Sequence, residues 1–469
     1  MATALPLPCD APGAGAGDCA DPRGTLIATT VGSSLVFVLG SIVNVALPQM
    51  QAAFEAGASG AQWIVNAYLL PLSALVLIGG ALGDHYGRKR TFLAGLALFG
   101  ASCLLCAVAW SFPVFLAGRV LEGVAAALIA PTSLAILSDA FSGKARGAAI
   151  GTWAGAGAAA GALAPVAGGW IVDVAGWRWS FVAVLPLVAL ALWMGARAVR
   201  ESRADRGEAA PLDGTGAALV STGLLAATWG LVALPERGAD AATLGALAGG
   251  AALLAAFVAA ERHRGDAAMV PLSLFADRAF AGLSLFTLLL YAALGGLLFL
   301  LPYALIREAG YSATQAGAAI LPFPLILGAM SRLSGGALTD RFGARALLTA
   351  GAVLVAAGFA LFGLIPGEGV RYAPHVLPPL LVLAAGMALA VAPLTAAVLA
   401  AAGDDRAGVA SGVNNAISRV GGLVATALLG LVLAGGADRL LEGLAAAAWV
   451  GAGLAALSAA VAWASLRAP

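Results

Sequence analysis

The stretch Gly80–Arg90, GALGDHYGRKR, decides the fold of this chain. It places an acid, Asp84, and three consecutive bases, Arg88, Lys89 and Arg90, in a short turn between two long apolar runs. Charges confined to short turns between runs of about 20 apolar residues mark a chain that crosses a bilayer many times. The stretch has an echo, GALTDRFGAR, at Gly336–Arg345. Gly80, Leu82, Asp84 and Gly87 align with Gly336, Leu338, Asp340 and Gly343; Ala344 stands where Arg88 stands, and Arg345 roughly answers Arg90. A weaker echo joins RGAAIG at 146–151 to RAGVASG at 406–412. Two matches in one loop context, at nearly the same separation, point to a chain of two related halves.

Composition agrees. The chain has 469 residues, 61% hydrophobic and 10% charged, where a soluble domain carries about 25% charged. Most of it must face lipid or the inside of a membrane bundle. Fourteen apolar segments are expected, at roughly 25–47, 60–82, 91–110, 113–137, 148–172, 178–198, 214–234, 240–260, 280–303, 314–337, 346–366, 376–401, 409–434 and 443–465. Bases crowd into alternate loops: Arg88 to Arg90, Lys144, Arg146, Arg197 to Arg206, Arg262, Arg264, Arg278, Arg341, Arg345 and Arg406. The opposite loops hold Arg178, Arg237, Arg307, Arg371 and Arg439. The positive-inside bias makes the first set cytoplasmic, and an even helix count puts both termini there. The expected division is a disordered tail to residue 24, a six-helix bundle over 25–199, a charged linker over 200–213, two additional helices over 214–262 and a second bundle over 263–469.

Several function classes fall away. The net charge of +1 argues against a nucleic-acid partner. His85, His263 and His375 are scattered, and Cys9, Cys19, Cys103 and Cys106 lack the companions a metal site needs. No phosphate-cradling loop is present, so no nucleotide is expected. No cluster of His, Cys and carboxylates at one depth offers catalysis, and no cofactor is expected.

The repeated loop has a mechanical reading. Gly80 and Gly336 would let helices approach closely, and Asp84 would favour a helix N-terminus. Arg88 and Arg90 in one half, and Arg341 and Arg345 in the other, would pair with acids at helix ends in one conformation and release them in another. A plain topology anchor would need the bases but not Asp84, Gly87, Asp340 or Gly343. This loop resembles the signature of the major facilitator superfamily, and the whole chain resembles its fourteen-helix drug/proton antiporter branch. Further matching stretches are IVNVALP (42–48), QWIVNAYLL (62–70), GRVLEGVAAA (118–127), WRWSF (177–181), LPYALIREAGYSATQAG (301–317) and GVASGVNNAISRVGG (408–422). The resemblance implies an all-α membrane protein of two pseudo-symmetric six-helix bundles, two additional central helices and a cavity that opens to each side in turn.

Arg119 and Glu122, three residues apart inside a span, share one helix face. Ionisable groups at that depth are costly and functional by default. Glu122 is then either a proton carrier tuned by Arg119 or half of a static ion pair. The branch carries Gln where this chain has Glu122. It also carries an Asp nine residues before Pro48, where this chain has Leu39. Either Glu122 takes over that role, or transport is uncoupled or coupled otherwise. The branch's glycine-rich antiporter helix is matched by Gly151, Pro165, Gly168 and Gly169, with Ala160 and Ala164 as departures. These residues would either bend the helix and seal the cavity or serve as small-residue packing.

The fold would gather Asn44, Trp63, Asn66, Tyr68, Trp153, Tyr291, Phe299, Asn414, Asn415 and Arg419 around the cavity. Trp170, Trp177 and Trp179 are expected in an interfacial aromatic belt. The expected function is proton-coupled export of hydrophobic or amphipathic small molecules, the alternative being an uncoupled facilitator or lipid carrier. The expected setting is a monomer in a bacterial inner membrane. Two further classes carry less weight: a membrane sensor without net transport, because the loop is retained in both halves, and a membrane enzyme, because no cluster of His, Cys and carboxylates sits at one depth.

Overall fold

The computed structural model describes residues 21–203, 213–265, 268, 270–334, 338–367, 369–403, 406–429 and 440–466. Sixteen α-helices follow in chain order: α1 Pro22–Ala53, α2 Ala58–Tyr86, α3 Arg88–Ala107, α4 Phe112–Ala140, α5 Gly143–Ala175, α6 Trp177–Ala183, α7 Leu185–Ala198, α8 Gly214–Arg237, α9 Ala241–Arg264, α10 Arg278–Arg307, α11 Ala313–Ile320, α12 Pro322–Leu333, α13 Thr339–Phe362, α14 Leu377–Ala402, α15 Ala407–Leu428 and α16 Leu440–Ser465. Among the described residues, thirteen helical stretches are long and apolar enough to cross a membrane. In that reckoning α6 with α7, and α11 with α12, each make one span. The more polar α15 lies where the thirteenth segment is expected, and the end of that segment falls outside the described residues. Helices satisfy their own backbone hydrogen bonds, which is why the chain crosses lipid in this form alone.

The ends of the helices explain themselves locally. Pro22–Gly24 belong to α1, which Asp21 caps: its carboxylate accepts from Gly24 N–H at 2.9 Å, and Pro22 occupies the first helical position. Asp213, Asp240 and Asp277 cap α8, α9 and α10 in the same way. The Thr243 N–H donating to Asp240 holds that carboxyl down to about 2. Ser312 and Gln315 form a reciprocal capping box at α11.

In the first bundle α1 packs on α5 and α7, and α4 packs on α2 and α3. In the second, α13 packs on α14 and α16, and α10 packs on α15 and α16. The bundles meet where α2 lies along α15 and α5 along α11. The hairpin of α8 and α9 attaches through α8 to both α2 and α15, and so spans that seam. Leu70 and Ala74 of α2, Leu224 of α8 and Leu423 of α15 form its apolar contact.

One belt assignment is corrected. Trp170 and Trp179 are exposed on the outside of the bundle, but Trp177 is buried. It packs tilted against Phe54 and edge-on against Phe115, with ring centroids 5.4 Å away in each case, and so locks the ends of α1, α4 and α6 together.

Candidate functional site

The two repeated loops fold alike in their backbone and differently in their side chains. Gly87 separates α2 from α3 with φ 113° and ψ 130°, and Gly343 breaks α13 with φ 76° and ψ 156°. Both are left-handed conformations that favour glycine. Around Gly87 a polar network closes. Arg88 donates to Asp84 at 2.8 Å and also to Asp139 at the end of α4. Asp139 in turn accepts from Ser202 Oγ at 2.6 Å. Glu201 accepts from the backbone N–H groups of Lys89 and Arg90 at 3.0 and 3.2 Å, capping α3. Arg90 itself stays outward, 3.6 Å from Glu201.

Among the described residues the second loop shows no such network, and Ala344 stands where the first loop has Arg88. No ion pair joins Asp340 to Arg341 or Arg345 among the described residues. Arg341 lies over Phe342, and Arg345 lies over the Trp463 ring of α16 at 3.8 Å. Gly336 lies outside the described residues. The expectation that Gly80 provides the close helix contact is corrected. A Cβ there would sit at an ordinary 3.6 Å from Pro131, whereas one at Gly79 would stand 2.0 Å from Ala127 O, and one at Gly83 2.7 Å from Thr132.

Between the bundles lies a cavity of about 450 Å³. Of the residues expected there, it brings together Asn44 of α1, Tyr68 of α2, Tyr291 and Phe299 of α10, and Asn415 and Arg419 of α15. Arg119 of α4 lines it too. The others lie elsewhere. Trp63 is half-buried off the lining, and Asn66 is buried with neither side-chain polar atom partnered among the described residues. Trp153 packs against Leu137, Phe141 and Ala149 near the basic face of the molecule. Asn414 accepts from Thr287 Oγ1 at 2.7 Å in the α10–α15 contact.

Glu122 sits behind Arg119, off the cavity wall. The pair is buried, with side chains 1% and 0% exposed, and its N–O distance is 2.7 Å. Arg119 Nε also donates to Ile64 O at 3.1 Å, and its guanidinium lies 4.8 Å from the Tyr68 ring centre. The second oxygen of Glu122, Oε1, has no hydrogen-bond partner among the described residues.

Polar contacts that cross between the bundles gather at the face opposite the charged loops. Gln62 Nε2 donates to Thr426 O and Ala427 O, both at 3.0 Å. Tyr303 donates to Gln51. Asp173, near the end of α5, accepts from the N–H groups of Ala313 and Thr314 at 3.0 and 2.9 Å, and so caps α11 of the other bundle. The backbones cross closely here: a Cβ on Gly169 would stand 2.4 Å from Ala313 O, and one on Gly317 2.1 Å from Pro165 O. Gly168 is pressed against Ile42 of α1, while a Cβ on Gly151 would meet nothing. Pro165, Gly168 and Gly169 thus belong to the closed end, and Gly151 does not. Sequence reasoning missed Asp173, Gln62 and Glu201. A lone acid three residues before Gly176, where α5 ends, was the one signal Asp173 offered.

Comparison with known proteins agrees with this architecture. The Major Facilitator Superfamily profile matches residues 29–426 and, in a second match, 283–469. The chain is similar to the multidrug resistance protein Stp of Mycobacterium tuberculosis, 35% identical over 421 residues, covering 89% of this chain and 77% of that protein. It is also similar to the tetracenomycin C resistance and export protein of Streptomyces glaucescens, 32% identical over 420 residues, covering 88% and 76%. Its fold is that of the D-xylose–proton symporter, with a TM-score of 0.68, 16% identity and coverage of 95% and 98%. With matching halves, matching seam and relatives of this kind, the chain belongs to the Major Facilitator Superfamily and groups with its multidrug-efflux branch.

Proposed function

We propose that the chain exports hydrophobic or amphipathic small molecules by alternating access, driven by the proton gradient. The observation that carries this reading is the cavity between the bundles, bordered by the buried Arg119–Glu122 pair and sealed at one face by Asp173, Gln62 and the α5–α11 crossing. A site closed on one side at the interface of two repeats suits a rocking transporter. The names of the relatives, a multidrug resistance protein and a resistance and export protein, support export. The basic loops favour a cytoplasmic position for the Arg88 face and both termini, in a bacterial inner membrane. The chain acts as a monomer in this reading, because each half supplies its own cavity wall.

In this mechanism Asp84, Gly87, Arg88 and Arg90 brace the first half at the cytoplasmic face. Gly336, Asp340, Arg341, Gly343 and Arg345 form the weaker counterpart. Glu122 takes its proton on Oε1, and Arg119 carries the change in its pairing to the cavity. Pro165, Gly168 and Gly169 form the seal that opens in the outward stroke.

A second reading, uncoupled transport, draws on one observation. Leu39, at the position of the branch's usual acid, is fully buried among apolar neighbours, and Glu122 is off the cavity wall with one oxygen engaged by Arg119. Accumulation of fluorescent amphipathic solutes in an efflux-deficient bacterium separates the two. Cells holding empty vector, the wild-type chain or Glu122→Gln are compared with and without a proton uncoupler. Coupled export predicts low accumulation with the wild-type chain alone, abolished by the uncoupler and by Glu122→Gln. Export that persists in Glu122→Gln and ignores the uncoupler sinks the coupled reading.

A further inference from the structure

We propose that the cavity is built for an amphipathic substrate with an acidic head group, which docks on Arg419. This rests on the reading of the cavity as the transport site. Two guanidinium groups line it, and they are not equivalent. Arg119 is neutralised from behind by Glu122 at 2.7 Å, and its Nε donates to Ile64 O at 3.1 Å. Arg419 has one neutral partner, Asn415 Oδ1 at 3.1 Å from its Nε, and no carboxylate pairs with it among the described residues. The other polar groups on the lining, such as Asn44, Ser418 and Thr426, are uncharged, and no acid lies on the lining. The described cavity therefore carries a net positive charge of one arginine at membrane depth.

A charge placed there is costly and marks a substrate or ion pathway. The planar fork of a guanidinium matches a carboxylate, sulfonate or phosphate through two parallel hydrogen bonds. Its Nη groups are left for that purpose, since Asn415 takes only Nε. Phe37, Leu294 and Leu298 supply an apolar wall for the rest of the molecule. The volume lies in the range of small-molecule sites, about 300–1,000 Å³. A cationic amphiphile would instead meet an unneutralised like charge. The acid comes either from a free solute or from the head group of an anionic lipid.

The test uses the purified full chain in phosphatidylcholine nanodiscs and three fluorescent probes of one shape. They are a dansyl-labelled undecanoic acid, its methyl ester and the analogue ending in trimethylammonium. Charge-assisted pairing predicts that the acid binds at least about tenfold more tightly than the ester, with the ammonium probe weakest. In Arg419→Gln the acid loses its advantage over the ester, and Arg419→Lys keeps part of it. Nanodiscs containing phosphatidylglycerol separate the sources: competition with the acid assigns the site to a lipid head group, and its absence to a free acid. Equal binding of acid and ester by the wild-type chain overturns the proposal without any variant, as does an acid preference that survives in Arg419→Gln. Acid-selective binding without gradient-driven efflux would leave this inference standing and remove the transport reading instead.

Discussion

Gly87 and Gly176 share a left-handed backbone, φ 113° and 87°, and differ in what surrounds them. A Cβ on Gly87 would stand 2.5 Å from the Glu201 carboxylate, while one on Gly176 would meet nothing. Gly176→Ala therefore carries the backbone cost alone, about 1–2 kcal/mol. Gly87→Ala carries that cost and also displaces the cap on α3. Melting temperatures in detergent should fall further for Gly87→Ala, and equal losses would rule out the Glu201 contact as a cause. The Arg119–Glu122 pair yields a second expectation. Glu122→Leu leaves a guanidinium buried without its partner, at a cost of about 3–5 kcal/mol. The double variant Arg119→Met/Glu122→Leu should be more stable than the single one by the same thermal measurement, since apolar replacement of both partners removes the stranded charge. If the single variant is the more stable, the pair is not the tightly desolvated unit that its burial implies.

Much of this scale was legible in the sequence. Arg119 and Glu122 announce their pairing by helical spacing, whereas Asp84, expected at a helix N-terminus, pairs with Arg88 across the break at Gly87. What was not legible is long-range. Asp139 and Glu201 reach Arg88 and its neighbours from 51 and 112 residues away, and no local pattern encodes such a meeting. Trp177 looked like a belt residue because composition cannot tell which face of a short helix turns inward.

At the scale of elements, the crossing of α5 and α11 joins different bundles, and its polar part is a helix cap. Asp173 stabilises α11 only while the two helices touch. A capping side chain contributes about 1 kcal/mol. Asp173→Ala should therefore shift the balance about fivefold toward a form open at that face. Spin labels near the ends of α5 and α11 would report it as growth of the longer-distance population. An unchanged distance distribution would mean that the glycine contacts alone hold the seal. The sequence marked this region through Pro165, Gly168 and Gly169, but it gave no sign that Gly317, in another element, supplies the matching surface. The breaks at Val184 and Leu321, which divide two expected spans into α6–α7 and α11–α12, were equally silent.

The whole molecule is two repeats with a hairpin laid across their seam. The hairpin leaves and re-enters at one place: Arg264, at the end of α9, pairs at 2.6 Å with Asp213, which caps the start of α8. Excising residues 214–263 and joining Asp213 to Arg264 should therefore leave both bundles able to fold. The cost should appear at the α2–α15 seam, where Leu224 is lost from its cluster with Leu70, Ala74 and Leu423. A shortened chain with a lower melting temperature and retained solute export is the expected result. A chain that no longer inserts or folds would show that the hairpin is part of the core. The duplication itself was readable from two short stretches. The position of the hairpin was not, because apolar runs carry no address.

The inequality of the two repeated loops has a consequence for how the molecule bears load. Around Gly87, one arginine and one glutamate fasten α2, α3, α4 and the segment after α7 to each other, so the first half is stiff and turns as a casting turns. Around Gly343, the fastening among the described residues is a cation resting on an indole, with no ion pair beside it. Among the described residues, ionic bracing is thus concentrated on one side of the seam. In the proposed rocking mechanism the strain of each stroke would fall more on the second half than on the first, and wear by mutation should be tolerated in the opposite order.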